Sequence, residues 1–576
     1  MDNGALASAF DQIAALLELK GDNRFKIQAY ARAARAIDHH PEAVERLADD
    51  DRLSEVPGVG DAITEKIHEL LETGRLRYLD ELAAEFPPGL LEMMQVPGVG
   101  PKLASRFWKE LSVATPAELE AALRDGRVAG MSRLGAKSAV NLLQSLEAQR
   151  ARTGSGRIPI AEALIVAAEL KRALIAATGI TQLEAAGSLR RFRETIGDID
   201  LVGAAGDSGR IVAAFVSLPQ IASISMNGPQ RAAVRLHNGL DVDLRIVPSE
   251  SFGSLLQHFT GSQQHNILMR ERARRMGLSL SEYGVTDLES GRLYPCPVED
   301  QVYARLEMQF VPPEIREGTD EVAQAAARYL PRLVQASDLR GDLHAHTVAS
   351  DGRSTLEEMV AAARARGYQY LAITDHSAGR GIANGLSIER LRDHLKAIRA
   401  LNEQLAGEFT VLTGSEVDIR ADGMLDYPDD VLAELDVVVA SIHSAMGQDE
   451  PRMTDRVERA LRNPHVDIFG HPTTRLIGSR DPVALDMERV FRVAKATGVA
   501  LEINGSPSRL DLKDTYIRRA VELGVRLVLD TDSHHTEQLA NMVYGAAHAR
   551  RGWARARDIM NIKPLPDLLK WLRRNG

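Results

Sequence analysis

The chain has 576 residues, 44% of them hydrophobic and 26% charged, the composition of ordinary folded domains and a length for about four of them. Its single cysteine, Cys296, excludes a disulfide framework and a thiolate metal site, which fits a reducing cytoplasm. A net charge of −10 argues against a uniformly basic nucleic-acid coat, no apolar run reaches the ~18 residues of a membrane span, and MDNGALASAF lacks the basic-then-apolar pattern of a signal peptide.

Residues 1–48 read as alanine-rich helices, with basic residues and a tyrosine in RFKIQAYARAARAI (24–37). VPGVGDAITEKIHELL (56–71) is then repeated as VPGVGPKLASRFWKEL (96–111). Gly58, Gly60, Gly98 and Gly100 permit a tight turn before each amphipathic helix. The turn amides and the helix N-terminus then face a phosphate without reading sequence, which is the helix-hairpin-helix device for gripping duplex DNA. MSRLGAKSAVNLL (131–143) is a weaker third copy, and RTGSGRIPI (152–160) reads as a linker.

GSLRRFRETIGDID (187–200) ends in Asp198 and Asp200. In an extended strand these carboxylates share one face, and a divalent cation resolves their repulsion. GLDVDLRIVP (239–248) supplies a second strand with Asp241 and Asp243. Carboxylates converging from two strands suit Mg²⁺ or Mn²⁺. Gly187 and Ser188, followed by Arg190, Arg191 and Arg193, form a phosphate cradle. Metal plus triphosphate cradle implies two-metal nucleotidyl transfer. In MRERARRMG (269–277), Arg270 and Arg274, and Arg272 and Arg275, stand at helical spacing as basic stripes. VPPEIREGTDEV (311–322) closes this part, and a helix near 321–335 is expected to bridge to the next.

From residue 340 short apolar strands alternate with helical stretches: LRGDLHAHT, YLAITDHS, TVLTGSEVDI, VVVASIHS, VDIFGHP, VALEINGS and RLVLDTDSHH. The alternation predicts a parallel α/β barrel, whose catalytic face lies at the strand C-termini. His344 and His346 form an H-x-H pair, and Asp351, His376, Glu416, His443, His471, Asp532 and His534 follow at later strand ends. These ligands exceed the needs of one ion, so a multinuclear site with Glu416 bridging is the simplest arrangement. All are N or O donors, which admits Zn²⁺, Mn²⁺ or Fe²⁺. Clustered metals that activate water and clamp phosphate imply phosphoester hydrolysis. Arg380, Arg420, Arg475 and Arg509 lie in the loops after these strands and are candidates for DNA phosphate.

The segment 187–200 and its continuation resemble the palm of family X DNA polymerases, the family of DNA polymerase beta. The resemblance implies metal aspartates at Asp198, Asp200 and Asp243 and triphosphate contacts at Gly187, Ser188, Arg191 and Gly197. It implies a nucleotide-side turn at Phe259, Thr260, Gly261 and Ser262, preceded by His258 where a tyrosine is usual. Asn266 and Arg270 match positions touching the nascent pair and the template strand, and Arg245 joins the DNA contacts. Ile196 stands where a polar phosphate contact is usual. In the N-terminal part Lys66 aligns with a Schiff-base lysine that cleaves deoxyribose phosphate, with Lys26 and Tyr30 as neighbours. Ala62 replaces a further lysine, and the competing reading is a solvated Lys66. The region from about 340 resembles the PHP (polymerase and histidinol phosphatase) domain of bacterial family X and replicative polymerases. That implies Asp351, His376 and His534 on one ion, His344, His346, Glu416 and Asp532 on a second, and Glu416, His443 and His471 on a third.

The resulting expectation is a multidomain chain. Helical helix-hairpin-helix domains occupy 1–80 (lyase-like) and 81–150 (fingers-like). An α+β nucleotidyltransferase-type palm spans 151–248 and a thumb 249–318. A linker at 319–339 leads to an α/β PHP domain, a distorted (β/α)7 barrel, at 340–576. The expected function is short-gap filling on gapped or nicked DNA with deoxynucleoside triphosphates. A barrel 3′–5′ exonuclease, 3′-end-processing or abasic-site endonuclease activity is joined to it, in a cytoplasmic monomer working beside repair proteins. Rival readings are a nuclease with a degenerate polymerase, a small-molecule PHP phosphatase, and a non-catalytic scaffold.

Overall fold

The computed structural model describes residues 3–38, 40, 44–87, 89–94, 96, 99–128, 130, 131, 134, 139, 142, 143, 157–379 and 383–572. The chain divides into two compact units, Met1–Arg157 and Ile158–Gly576.

The first unit is helical among its described residues, with helices Asn3–Lys20, Arg24–Asp38, Val44–Asp49, Asp61–Thr73, Arg77–Ala84, Leu90–Met94, Pro101–Leu111 and Pro116–Arg124. Phe10, Ile13, Leu16, Leu17, Ile67 and Phe107 are fully buried in its core. Each expected hairpin leads into a helix capped by a glycine, Gly60 before Asp61 and Gly100 before Pro101. Neither cap offers a side-chain acceptor, so the first-turn amides look outward. Gly58 takes a left-handed φ of +86°, which a side chain would resist. Pro97, Gly98 and most of the third copy lie outside the described residues.

The second unit begins with an α+β layer. Five strands, β1 (Gln182–Ala185), β2 (Asp198–Ala204), β3 (Ile221–Asn227), β4 (Arg231–Leu236) and β5 (Asp241–Val247), form a sheet in the order β1-β2-β5-β4-β3. Alternation explains it: Ile199, Leu201, Val242 and Leu244 turn to the core, each contributing about 1.5–3 kcal/mol by burial, and the aspartates turn the other way. β2 and β5 run parallel, with Asp198 beside Asp241 and Asp200 beside Asp243. Helices Phe252–Thr260 and Gln263–Arg275 follow, with a small antiparallel sheet behind them.

The bridging helix is shorter than expected, Glu321–Ala327 instead of 321–335. Arg328 takes a left-handed φ of +62° and Pro331 lacks the amide that would continue the helix.

Seven parallel strands follow in sequence order: β6 (Gly341–Asp342), β7 (Tyr370–Ile373), β8 (Thr410–Asp418), β9 (Val437–Ser441), β10 (Ile468–Phe469), β11 (Ala500–Asn504) and β12 (Leu527–Asp530). A bridge between Ala345 and Ser533 joins the extensions of the first and last, giving the near-closed (β/α)7 barrel. β7, β9, β11 and β12 are buried along their whole length, as strands covered on both faces must be. The barrel packs on the polymerase-like part through apolar and ionic contacts. Leu510, fully buried, joins the core of the β1–β5 sheet, and Leu333 and Trp553 join the core behind Gln263–Arg275.

Candidate active sites

Asp198, Asp200 and Asp243 each present a carboxylate oxygen within 4.8 Å of the others. Asp241, the fourth acid of the two strands, is withdrawn by Arg235, whose Nε and Nη2 donate to it at 2.7 and 2.8 Å. Burial, then the charges of Asp198 and Asp243, pushes the Asp200 carboxyl up to about 7. Burial, then Asp198 and Asp241, pushes Asp243 upward as well. Carboxylates crowded in this way repel one another, a conflict that a cation relieves, so the donor set fits a divalent metal with oxygen ligands. Gly187, at φ +59°, backs directly onto the Asp200 carboxylate, where a Cβ would collide.

The arginines after Gly187 divide their work. Arg190 is consumed structurally, forked onto Glu299 at 2.9 and 2.7 Å and donating to Thr260 Oγ1 at 2.6 Å. Arg191 lies along the turn, with Nη1 donating to the Thr260 carbonyl at 2.6 Å, beside Gly261. Ser188 and Gly197 are half-buried in the same neighbourhood of chain. Ile196 is fully buried in the palm core, so its side chain is turned away from any phosphate. Asn266 is tied down, donating to the His258 carbonyl at 2.7 Å and accepting from Gln257 at 2.9 Å. Burial pushes the His258 imidazole below its ordinary range. Arg245 stacks over Phe259, 5.2 Å from the ring centre. Arg270 is half-buried on the Gln263–Arg275 helix, whereas Arg272 is held internally by the Leu306 carbonyl at 2.7 Å, so the basic stripe is thinner than its spacing suggests.

In the first unit Lys66 Nζ donates to the Ala62 carbonyl at 3.0 Å and sits 5.1 Å over the Tyr78 ring. Lys26 lies 5.3 Å from the same ring. Tyr30 stacks on Tyr78 with ring centres 6.0 Å apart.

At the barrel's strand ends, Glu416 is the hub. His376 Nδ1 and His471 Nε2 each lie 2.9 Å from its carboxylate, His443 Nε2 3.2 Å, His344 Nε2 3.5 Å and His346 Nε2 3.6 Å. Asp532 stands 3.2 Å from His346 and 3.7 Å from His344. Asp351 stands 3.4 Å from both His376 and His534. Three overlapping groups have ligand atoms close enough for single ions: His346, Asp351, His376 and His534; His344, His346 and Glu416; His376, Glu416 and His443. His344 Nε2 and His346 Nε2 are buried without a hydrogen-bond partner, a cost that a bound cation removes. The mixed imidazole and carboxylate set therefore fits metal.

The supporting partners were not singled out in the sequence. Glu502 accepts from His344 Nδ1 at 2.7 Å and also from the His471 amide. Asp418 accepts from His443 Nδ1 at 2.6 Å. Both fix ring orientation. The available signal is alternation: Asp418 lies two residues past Glu416 and Glu502 two before Asn504.

The loop arginines do not act as one group. Arg475 is withdrawn from DNA: it is nearly buried and paired with Glu194 at 2.8 Å, because a guanidinium at that depth needs a counter-charge. Arg509 Nε lies 3.5 Å from Asp532. Arg420 is exposed, in the lining of a surface cavity of about 700 Å³. Arg380 lies outside the described residues.

An acidic trio on a sheet carrying a nucleotide-type turn, joined to a histidine-lined (β/α)7 barrel, defines a nucleotidyltransferase fused to a metallophosphoesterase. Family models match as a helix-hairpin-helix domain over 1–76, a SAM-like helix-hairpin-helix tandem over 90–148, a DNA polymerase beta thumb over 255–317 and a PHP domain over 342–506. The DNA polymerase/3′–5′ exonuclease PolX of Bacillus subtilis (strain 168) is 40% identical over 567 residues, 98% of each chain. The chain therefore belongs to the bacterial family X DNA polymerases with a C-terminal PHP domain. Over about a third of its length the chain is also similar to probable phosphatases. One from Thermoanaerobacter sp. (strain X514) is 32% identical over 204 residues, 34% of this chain and 78% of its own. Another, from Acetivibrio thermocellus, is 35% identical over 205 residues. Among the described residues no helix is long and apolar enough to cross a membrane.

Proposed function

We propose that this chain is a DNA-directed DNA polymerase that fills short gaps, with a 3′–5′ exonuclease in its barrel. The observation that supports the reading is the coexistence of two chemically different clusters of ligand-type side chains, Asp198/Asp200/Asp243 and the histidines and carboxylates gathered around Glu416. Two Mg²⁺ or Mn²⁺ ions at the acidic trio would supply charge neutralisation for a primer 3′-hydroxyl displacing pyrophosphate from a nucleotide. The protein's own part is placement. Gly187 leaves room for Asp200, Ser188, Arg191 and Gly197 take the triphosphate, and His258, Phe259, Gly261 and Asn266 line the nucleotide side. Arg245 and Arg270 meet the DNA strand. The glycine turns at 58–60 and 98–100 grip the duplex backbone. In the barrel, three Zn²⁺, Mn²⁺ or Fe²⁺ ions would supply an activated water for phosphodiester cleavage, with Glu502 and Asp418 orienting the imidazoles. Lyase chemistry at Lys66 is a separate proposal, and borohydride trapping on abasic-site DNA that survives Lys66→Ala would overturn it.

A 5′-labelled primer on a one-nucleotide gap with Mn²⁺ tests the pair. Extension is expected with deoxynucleotides and shortening without them. Shortening alone in every condition would leave a nuclease docked by a degenerate polymerase. The similarity to probable phosphatases favours a second barrel substrate, a terminal 3′-phosphate. Release of phosphate from a 3′-phosphorylated primer, lost in His344→Ala, would establish it.

A further inference from the structure

The turn Arg191–Phe192–Arg193 is not held by the palm alone. Phe192 sits at a left-handed φ of +60°, a conformation that a bulky side chain adopts only where surroundings impose it. Here the imposing surroundings come from the barrel. The helix Met542–Arg551 packs Tyr544 against Phe192, ring centres 5.9 Å apart. Arg551 Nη1 donates to the Arg191 carbonyl at 2.7 Å and to Glu317 Oε1 at 2.9 Å. Its Nε and Nη2 are locked on Asp514 at 3.0 and 2.7 Å. Glu317 in turn accepts from Arg191 Nε at 3.3 Å and lies 3.8 Å from Arg193 Nη1.

Arg551 is thus a buried fork that fixes the Arg191 backbone directly and its guanidinium through Glu317. Arg191 Nη1 is pinned to the Thr260 carbonyl on the opposite side. The side chain is therefore clamped between the nucleotide turn and a residue more than three hundred positions away in sequence. Around Glu317 stand three guanidinium groups, Arg191, Arg193 and Arg551.

We propose that Arg551, acting with Glu317, is a positioning residue for nucleotide binding, supplied to the polymerase by the barrel. The inference rests on Arg191 contacting the triphosphate. A preorganised arginine loses no freedom when the nucleotide arrives, so loosening it weakens nucleotide binding more than it slows the bond-forming step.

The test is steady-state gap filling by the full chain carrying Arg551→Ala, Arg551→Lys or Arg191→Ala. Arg551→Ala is expected to raise the KM for deoxynucleotide about tenfold with little change in kcat, and to weaken inhibition by pyrophosphate in parallel. Arg551→Lys, whose single ammonium cannot serve Asp514, Glu317 and the Arg191 carbonyl together, is expected to fall between. Affinity for gapped DNA without nucleotide and 3′–5′ shortening should stay at the wild-type level. A wild-type KM in Arg551→Ala, with a raised KM in Arg191→Ala, overturns the inference and leaves the Arg191 assignment standing. An unchanged KM in Arg191→Ala overturns that assignment and the inference with it. If Arg551→Ala loses shortening as well, and so its fold, Arg551→Lys decides: a raised KM with intact shortening supports the clamp, and an unchanged KM overturns it.

Discussion

The palm and the barrel both gather candidate metal ligands at strand ends, in opposite media. In the palm Asp198 and Asp243 are exposed and Asp200 is half-buried, and every donor is an oxygen. In the barrel His344, His346, Glu416 and His471 are buried, and nitrogen donors outnumber oxygens. An open carboxylate trio holds hard, hydrated ions weakly enough for them to come and go with a nucleotide. A buried imidazole cluster leaves unpartnered nitrogens when empty and belongs to the folded state when filled.

The comparison breaks most sharply by substitution. Asp200→Ala is expected to cut extension on the order of a thousandfold and spare shortening, and His344→Ala to do the reverse. Loss of both activities by either folded variant would show the sites to be interdependent, as a labelled-primer gel reads directly. Gly187→Ala, which drives a methyl into Asp200 at a backbone angle that favours glycine, should lower extension at least tenfold, an estimate from the cost of displacing one ligand. The exonuclease, read on the same gel, should not change.

Chelation sharpens the difference in stability. Removing metal should lower the thermal stability of the barrel by roughly 3 kcal/mol, as expected for a ligand bound well above its dissociation constant. His344→Ala protein should show a smaller chelator effect, while Asp200→Ala protein should respond as the wild type does. Scanning fluorimetry with and without chelator checks this. The smallest effect concerns acid. Burial opposes ionisation of Glu299, but the neighbouring Arg316 and Arg190 outweigh it and hold the carboxyl down to about 2 from its ordinary 4.5. A depressed carboxylate stabilises the fold fully above the unfolded value. That contribution is lost as pH falls from about 4.5 through about 2, at most about 3 kcal/mol. Glu299→Gln should flatten this limb of the acid-unfolding curve followed by circular dichroism.

The sequence by itself determined the candidate ligand residues and the elements that carry them, because both depend on short-range rules. Two-residue alternation puts Asp198 with Asp200 and His344 with His346 on one face, and strand-helix alternation puts the later ligands at one end of a barrel. Glycines before helices made the hairpins legible for the same local reason. What tertiary structure decided is the use of each charge. Arg190, Arg191 and Arg193 read alike in sequence. Arg190 is spent on Glu299, and Arg191 is clamped from the barrel. Arg475 reads as a DNA contact and is instead the counter-ion of Glu194, 281 residues away. Asp241 and Asp243 look equivalent until Arg235 claims one of them. A charge's role depends on the partner that reaches it and on how deeply the pair is buried. Those partners come from distant segments that no local pattern connects.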